Sequence, residues 1–451
     1  MNSLKLLTGK PDVCIIGAGI IGNSISLSLA RKGYKVHVFD SNPSSGYGTT
    51  SYSSGICRMY YSLMDSVKFS WESYQYWKGW EDHIKFKDVN GYAKLSECGA
   101  LFLKSDNSID FLKKSCELMK NANVPFKDLD FSETQQMVEK MSLDITKTYE
   151  PVNIDDEMFG STEHLNKIIG SIYFPETGYV GNPQLAASNL YSASKSEGTE
   201  FHFNTKVTSI NVENEKIKGI TTYNYGDIDC PIVINCGGPY STQINNMAFI
   251  TNDIENDMRI TCRPLRREVA YTQLSKKDYD IDKNGMIVID LDLGLYYRPE
   301  VGNKLLIGST EPKCEEPVWE DNIDNVSQNS SDLWTNQMYR AALRIPNLEI
   351  PSSRHQQYIV STYDVTEDWT PIYDKSAIKG YYMAIGTSGN QFKNAPVVGE
   401  MMSELVDRCE NGYDQDNNPL NYELKKTKGN VDTSIFSRLR KVHNNDNNVF
   451  G

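Results

Sequence analysis

VCIIGAGIIGNSISLSLARKGYKVHVFD, residues 13–40, reads as a strand, a glycine turn, a helix and a second strand ending on an acid. Val13 to Ile16 form a short apolar run of the kind buried in a parallel sheet, where helices cover both faces. Gly17-x-Gly19-x-x-Gly22 follows, and Ile25, Leu27, Leu29 and Ala30 continue as a helix that stops near Gly33. Lys35 to Phe39 is the second strand. Asp40 stands about 20 residues past the glycines, where a carboxylate can accept hydrogen bonds from a ribose. In this pattern Gly17 permits the tight turn, Gly19 lets the backbone approach a pyrophosphate, and Gly22 lets the helix pack closely on the strand. The helix N-terminus adds unpaired N–H groups and partial positive charge. The order predicts a dinucleotide site, with Ile21 inside the glycine turn and Ser41 directly after the acid as further contacts. No arginine adjoins Asp40, which disfavours a 2′-phosphate and so NADP.

A second glycine turn lies far along the chain. Tyr381 to Ile385 reads as a strand, Gly386 to Lys393 as its loop, and Pro396 falls in a first helical turn. Val397, Val398, Met401, Met402, Leu405 and Val406 then recur at helical spacing. NAD needs one such loop for its pyrophosphate. A flavin carries negative charge on its reduced ring and profits from a second helix N-terminus, so the pair of loops favours FAD.

Bulk properties narrow the class. A chain of 451 residues, 39% of them hydrophobic, supports a large core and, at roughly 100–200 residues per domain, two or three domains. Net charge is −13 with no long run of like charge, which argues against nucleic acid as a partner. The start of the sequence lacks the apolar core of a signal peptide, and no window reaches the 18 or so apolar residues of a transmembrane helix, so a soluble cytoplasmic protein is expected. Nine cysteines occur singly with no C-x-x-C pair, which fits a reducing compartment and gives no disulfide framework and no metal site. The sequon at Asn325 is read as a solvated loop.

The chain resembles the D-amino acid oxidase-like flavoproteins, specifically the branch of sarcosine oxidases and dimethylglycine dehydrogenases. The likeness rests on five stretches: GAGIIG through Asp40; GTTSYSSGICRMYY, residues 48–61; ETGYVGNPQLAASNLYSASKSEGTEFHFNTKVTSI, residues 176–210; VINCGGPYST, residues 233–242; and VSTYDVTEDWTPIYD with the loop GTSGNQFKNAPVVGE. The resemblance implies an FAD domain of Rossmann-like α/β fold interleaved with a substrate domain built on a mostly antiparallel sheet flanked by helices. It implies FAD contacts from Thr50, Ser51, Ser53 and Ser54 in the second stretch, and Val207 against the adenine half. Cys236 and Gly237 belong beneath the pyrophosphate, and Gly389, Asn390, Gln391, Phe392 and Lys393 lie along the second loop.

The same resemblance implies two cations for a substrate carboxylate, Arg58 and Lys393. A carboxylate in a dry pocket needs charge-assisted partners to offset its desolvation. Fixing the acid end sets the C–N bond against the flavin, which is catalysis by positioning. Tyr297 and Arg298 match a strand that lines the substrate cavity in relatives. The oxygen-activating lysine of relatives is not visible; the nearest basic residues are Arg263, Arg266 and Arg267 in RPLRREVAYTQ, of which Arg267 is taken as the candidate. Covalent flavin linkage has no ligand here, because all six histidines lie outside residues 46–61 and Ser361 stands where some relatives have cysteine. Dissociable FAD is expected.

The expected activity is oxidation of a secondary or tertiary amine bearing a carboxylate, in the style of sarcosine, with dioxygen, an electron-transferring flavoprotein or a quinone taking the electrons. A D-amino acid or 2-hydroxy acid fits the same two cations, and an FAD-binding assembly or chaperone-like factor keeps the fold without turnover. The segments assigned to the FAD domain are 8–64, 160–245 and 355–410, with 65–159 and 246–354 forming the substrate domain. Residues 411–451, rich in Asn, Lys and Asp, are expected to be a surface arm or partly disordered.

Overall fold

The protein is described from a computed structural model that covers residues 7, 9–141, 143–162, 167–274, 280–346, 348–352, 354–443 and 450. Val13, Cys14, Ile15 and Ile16 alternate over both faces of their strand and are all buried, so the strand has to lie in the middle of a covered sheet. That sheet has six strands: β1 (Val13–Ile16), β2 (Val36–Phe39), β3 (Glu200–His202), β4 (Ile232–Asn235), β5 (Ile372–Lys375) and β6 (Tyr381–Ile385). Their order is β5-β6-β4-β1-β2-β3, all parallel except β5, which runs antiparallel to β6. The register pairs Val13 with both Val36 and Ile232, and Val233 with Tyr381.

The helices α1 (Ile20–Arg31), α2 (Met64–Lys78), α3 (Pro183–Ser196) and α4 (Ala395–Glu410) accompany this sheet. α1 is buried along nearly its whole length, between α3 and α4. Small residues make the crossing with α4 close: a Cβ on Gly399 would come within 2.3 Å of the Ser24 hydroxyl and 2.5 Å of its carbonyl oxygen. Both helices that open from glycine turns are therefore fastened to each other.

A second sheet of nine strands is mixed and mostly antiparallel. Its longest member, Cys262–Gln273, pairs on one side with Lys304–Ser309 and on the other with Gln357–Thr366. The helix Asp332–Arg344 covers one face through Trp334, Met338 and Ala341. The opposite face looks toward the first sheet. Two strands fall elsewhere than the sequence boundaries put them. Gly170–Phe174 pairs with Ala100–Lys104, and Gln357–Thr366 runs along Cys262–Gln273, so both belong to this second sheet. Their neighbours in sequence, the turn before α3 and the loop before β5, carry the chain across to the first.

The segment after α4 departs from its expectation. Asn421–Leu424 and Gly429–Asp432 form a hairpin whose tip is tied to α2, where the Glu72 carboxylate accepts the N–H groups of Lys426 and Thr427 at 2.8 and 2.7 Å. Arg438 is fully buried among Asp257, Asp374 and Asp416, and Arg440 grips Asp368 with two hydrogen bonds of 2.8 and 2.9 Å. Polar composition misled here because the arginines are matched by buried carboxylates on the first sheet and its neighbouring loop. A buried ion pair of this kind persists when both partners are fully hydrogen-bonded. All nine cysteines are free, and no helix among the described residues is long and apolar enough to cross a membrane.

Candidate active site

A long cleft runs between the two sheets. One end is the N-terminus of α1, where Gly19, Ile20 and Ile21 line it; Thr50, Ser53, Ser54, Cys236 and Ser361 follow, and Gly389, Gln391 and Phe392 close the far end just ahead of α4. The glycines shape this space in the way their spacing predicts. Gly17 has φ +112°, and a Cβ on it would lie 2.3 Å from the Cys236 carbonyl oxygen. A Cβ on Gly22 would lie 2.0 Å from the carbonyl oxygen of Gly17, so the turn closes only with hydrogen at both positions. The Thr50 hydroxyl accepts the N–H of Ile20 at 3.0 Å, which ties the residue 48–54 loop to the helix start. At the other end Gly389 has φ +67°, and a Cβ would strike the Tyr363 ring at 2.3 Å.

Asp40 ends β2, and its carboxylate accepts the N–H groups of Ala18 at 2.7 Å and Asn42 at 2.8 Å. It thus holds the glycine turn in place. Ser41 is exposed beside it, Ser51 donates to the Gly48 carbonyl at 2.9 Å, and Val207 is buried at the start of the strand Val207–Glu213. Gly237 is set by its N–H, which donates to the Asn235 side chain at 3.0 Å. Asp364, on the strand Gln357–Thr366, lines the cleft with its carboxylate accepting the Gly386 N–H at 2.6 Å and the Ser241 hydroxyl at 3.0 Å. Burial raises its pKa from the ordinary carboxylate value to about 7.

Beyond Phe392 a smaller cavity adjoins the cleft, sharing Ser53, Ser54, Tyr296, Tyr363 and Gly389 with it. Arg58, Asn390, Lys393 and Ser309 bring polarity to it, and Ile56, Ile287, Ile289, Tyr60 and Phe450 supply apolar and aromatic wall. Arg58 donates to the Tyr60 carbonyl at 2.6 Å, and its guanidinium carbon lies 4.3 Å from the Tyr61 ring centre. Lys393 donates from Nζ to the Asn390 carbonyl and lies 5.0 Å from the same ring. Its backbone carbonyl is pinned by Ser73 Oγ and Trp77 Nε1, both at 2.6 Å, and Trp77 stacks on Phe392 at 5.4 Å. α2 therefore fixes the loop from below. Burial, and then the nearby charge of Arg58, hold the Lys393 ammonium well below its ordinary pKa. The charged form of the amine is therefore disfavoured in this cavity.

Arg267 also reaches the main cleft, but paired: its guanidinium lies 2.9 Å from Glu311 and 3.3 Å from Glu315. Tyr297 corrects the sequence reading. It is buried in the core against the helix Asp332–Arg344, and its neighbour Tyr296 faces the cavity. Alternation along a strand sends adjacent residues to opposite faces, and the sequence does not say which face is which. Tyr296, Tyr363, Asp364 and Phe450 are among the lining residues missed from the sequence. The first three flank or sit inside stretches already singled out; Phe450 has no local signal at all.

One group could ligate a metal among the described residues, His37, Glu200 and His202 on β2 and β3. The two rings hydrogen-bond each other at 3.1 Å, and His202 also bonds the Tyr225 hydroxyl at 3.1 Å. It lies outside the cleft.

The chain is 20% identical over 416 residues to FAD-dependent oxidoreductase domain-containing protein 1 of Xenopus laevis, covering 88% of this chain and 79% of that one. It is 21% identical over 421 residues to glycine oxidase of Geobacillus kaustophilus, covering 90% of this chain and 96% of the relative. The structure of L-proline dehydrogenase from P. horikoshii superposes with a TM-score of 0.73 at 22% identity, covering 96% of this chain and 98% of that one. The family model described as FAD dependent oxidoreductase (DAO) matches residues 12–405, and the chain belongs to that family.

Proposed function

We propose that the protein oxidises the C–N bond of a small secondary or tertiary amine that bears a carboxylate, a sarcosine-like N-methyl amino acid, with FAD held non-covalently in the long cleft. What carries this reading is that Arg58 and Lys393, both buried, line one small cavity that adjoins the cleft. A substrate carboxylate entering this cavity meets two cationic donors able to form charge-assisted hydrogen bonds, which offset its desolvation. The names of the relatives, glycine oxidase and L-proline dehydrogenase, point to substrates of the same carboxylate-and-amine chemistry.

The α1 N-terminus, with Gly19, Ile21 and Thr50, is suited to the pyrophosphate of FAD, and Asp40 to its ribose. The 389–393 loop and the start of α4 are suited to the ring end. FAD, when bound, accepts the hydride. The chain's own residues do the rest. Arg58 and Lys393 take the carboxylate and so aim the amine end at the cleft. The amine reacts only with its lone pair free, so an incoming ammonium has to lose a proton; a neutral Lys393 can take that proton and then, charged, pair with the carboxylate. The imine product is hydrolysed by water. Dioxygen, an electron-transferring flavoprotein or a quinone then takes the electrons. Anaerobic mixing of the FAD-loaded protein with sarcosine, N-methylated homologues, D-amino acids and 2-hydroxy acids tests this, since bleaching of the flavin bands by the N-methyl amino acids is expected. Persistence of the bands with every N-methyl amino acid refutes the amine assignment.

A further inference from the structure

Arg267 enters the main cleft from the strand Cys262–Gln273. The register pairs it with Ser361, and Leu265 with Tyr363, and both of those partners line the same cleft. The Tyr363 ring lies against Gly389, so Arg267 stands toward the end that the 389–393 loop closes. Burial disfavours the Arg267 cation, but Glu311 and then Glu315 more than offset this and keep it charged. Glu315 is also held from its other side, by Arg340 and by the Ser309 hydroxyl at 2.6 Å. Glu311 is the nearer of the two carboxylates, at 2.9 Å against 3.3 Å. Its backbone is unusual: φ is +57°, and Pro312 follows. A residue with a Cβ rarely adopts that left-handed region, and a following proline favours extended backbone before it. The turn is pinned by the Glu311 N–H, which donates at 2.8 Å to the same Ser309 hydroxyl that binds Glu315. Strained backbone of this kind gathers at functional sites. What it gains here is a carboxylate against a cation that lines the cofactor cleft.

We propose that Glu311 is a positioning residue that sets the reduction potential of the bound FAD, by holding Arg267 and offsetting its charge at the ring end of the cleft. This rests on the reading of the cleft as the FAD site, with its ring end at the 389–393 loop, and not on which substrate is oxidised. Uptake of two electrons and one proton leaves a negative charge on the flavin ring. A cation nearby favours that reduced form and a carboxylate opposes it, so Glu311 keeps the potential below the value that Arg267 alone would set. A lower potential makes the reduced flavin a stronger donor to whichever acceptor takes its electrons.

The test uses the full chain loaded with FAD, reduced slowly without oxygen by xanthine and xanthine oxidase beside a reference dye, so that the midpoint potential is read without amine turnover. Glu311→Gln, which keeps the length and removes the charge, is expected to favour reduced over oxidised FAD by tenfold or more, a rise of ~30 mV for a two-electron couple. Glu311→Asp, which keeps the charge, is expected to stay nearer the wild type than the glutamine variant does. Arg267→Gln is expected to lower the potential. Glu311→Asn, which tolerates the left-handed backbone better, serves if the glutamine protein fails to retain FAD. A potential that is unchanged or lower in a folded, FAD-bound Gln or Asn protein overturns the proposal. If Arg267→Gln also leaves the potential unchanged, the placing of the ring end beside Arg267 falls with it; if Arg267→Gln lowers the potential, that placing stands and the role of Glu311 alone is refuted.

Discussion

Replacing Lys393 by methionine should move stability and catalysis in opposite directions. The lysine is 4% exposed, donates one hydrogen bond to the Asn390 carbonyl and has Arg58 as its charged neighbour. Met keeps the unbranched length and fills the same space, and the loop stays anchored because Ser73 and Trp77 bind the backbone carbonyl, not the amine. The variant loses one hydrogen bond, about 1 kcal/mol, and is relieved of a buried amine and its repulsion from Arg58. Its unfolding free energy should therefore match or exceed that of the wild type. Binding should suffer: a charge-assisted contact to the substrate carboxylate contributes ~1.5–3 kcal/mol, which corresponds to a loss of roughly 10- to 150-fold in kcat/KM.

Protons give a second readout of the same variant. Because the free-enzyme lysine titrates below its ordinary value, carboxylate binding above that depressed value takes up a proton, and affinity falls as pH rises. Calorimetric titration with acetate in buffers of different ionisation enthalpy should show uptake in the wild type and none in Lys393→Met. Urea unfolding and anaerobic stopped-flow reduction complete the set. A variant that is clearly less stable, reduces its flavin at the wild-type rate and shows the same proton count refutes the assignment of Lys393 to the substrate.

Other outcomes follow from separate parts of the structure. Unfolding in acid should leave a colourless polypeptide and a yellow supernatant; colour retained on the chain refutes non-covalent binding. Gly22→Ala puts a methyl on the Gly17 carbonyl oxygen, and overpacking of about 1–3 kcal/mol in that turn should weaken FAD retention by tenfold or more, measured by equilibrium dialysis. Asp364 binds its proton more tightly when folded, with a pKa near 7 against 3.8 for the ordinary group, so its contribution is greatest at low pH and is lost as pH rises toward 7. At about 1.4 kcal/mol per unit the loss is on the order of 4 kcal/mol, and Asp364→Asn should remove this decline from urea-unfolding free energies of the flavin-free protein between pH 4 and 8. Arg438→Ala leaves the buried Asp374 without its cation, while Asp416 keeps Lys375, and should cost ~3–5 kcal/mol by the same unfolding measurement.

Much of the fold was legible in short local patterns. The β1–α1–β2 unit carries its own punctuation, because the positive φ of Gly17 and the contact of Gly22 with the Gly17 carbonyl are demands that act within a few residues. The same holds for β6, its glycine loop and α4, where Pro396 and the apolar spacing mark the helix. Residues whose placement depends on a distant partner were not legible. Tyr296 and Tyr297 are equivalent until the covering helix shows which face is inside. The pairing of Gln357–Thr366 with Cys262–Gln273 joins stretches that share no local cue. Arg438 reads as a solvated charge until Asp257, Asp374 and Asp416 are seen around it, and Phe450 gains meaning only from Arg58.

The order of strands in the first sheet bears on how the chain reaches its folded state during synthesis. β1 lies between β2, its close neighbour in sequence, and β4, which begins only at Ile232; β4 in turn waits for β6 at Tyr381. A ribosome that has released the first 230 residues has produced the glycine turn and its helix but none of the strands that bury the far side of β1. The unpaired edge of β1 stays open until β4 is made, and the apolar flank of α1 until α4 is made, at roughly 5–20 residues per second. Slow, non-local parallel pairing of this kind leaves the nascent chain open to aggregation and to chaperones. The cofactor cleft exists only once both of its ends have left the ribosome, so FAD can clamp the two ends together after α4 is made but cannot template the first of them.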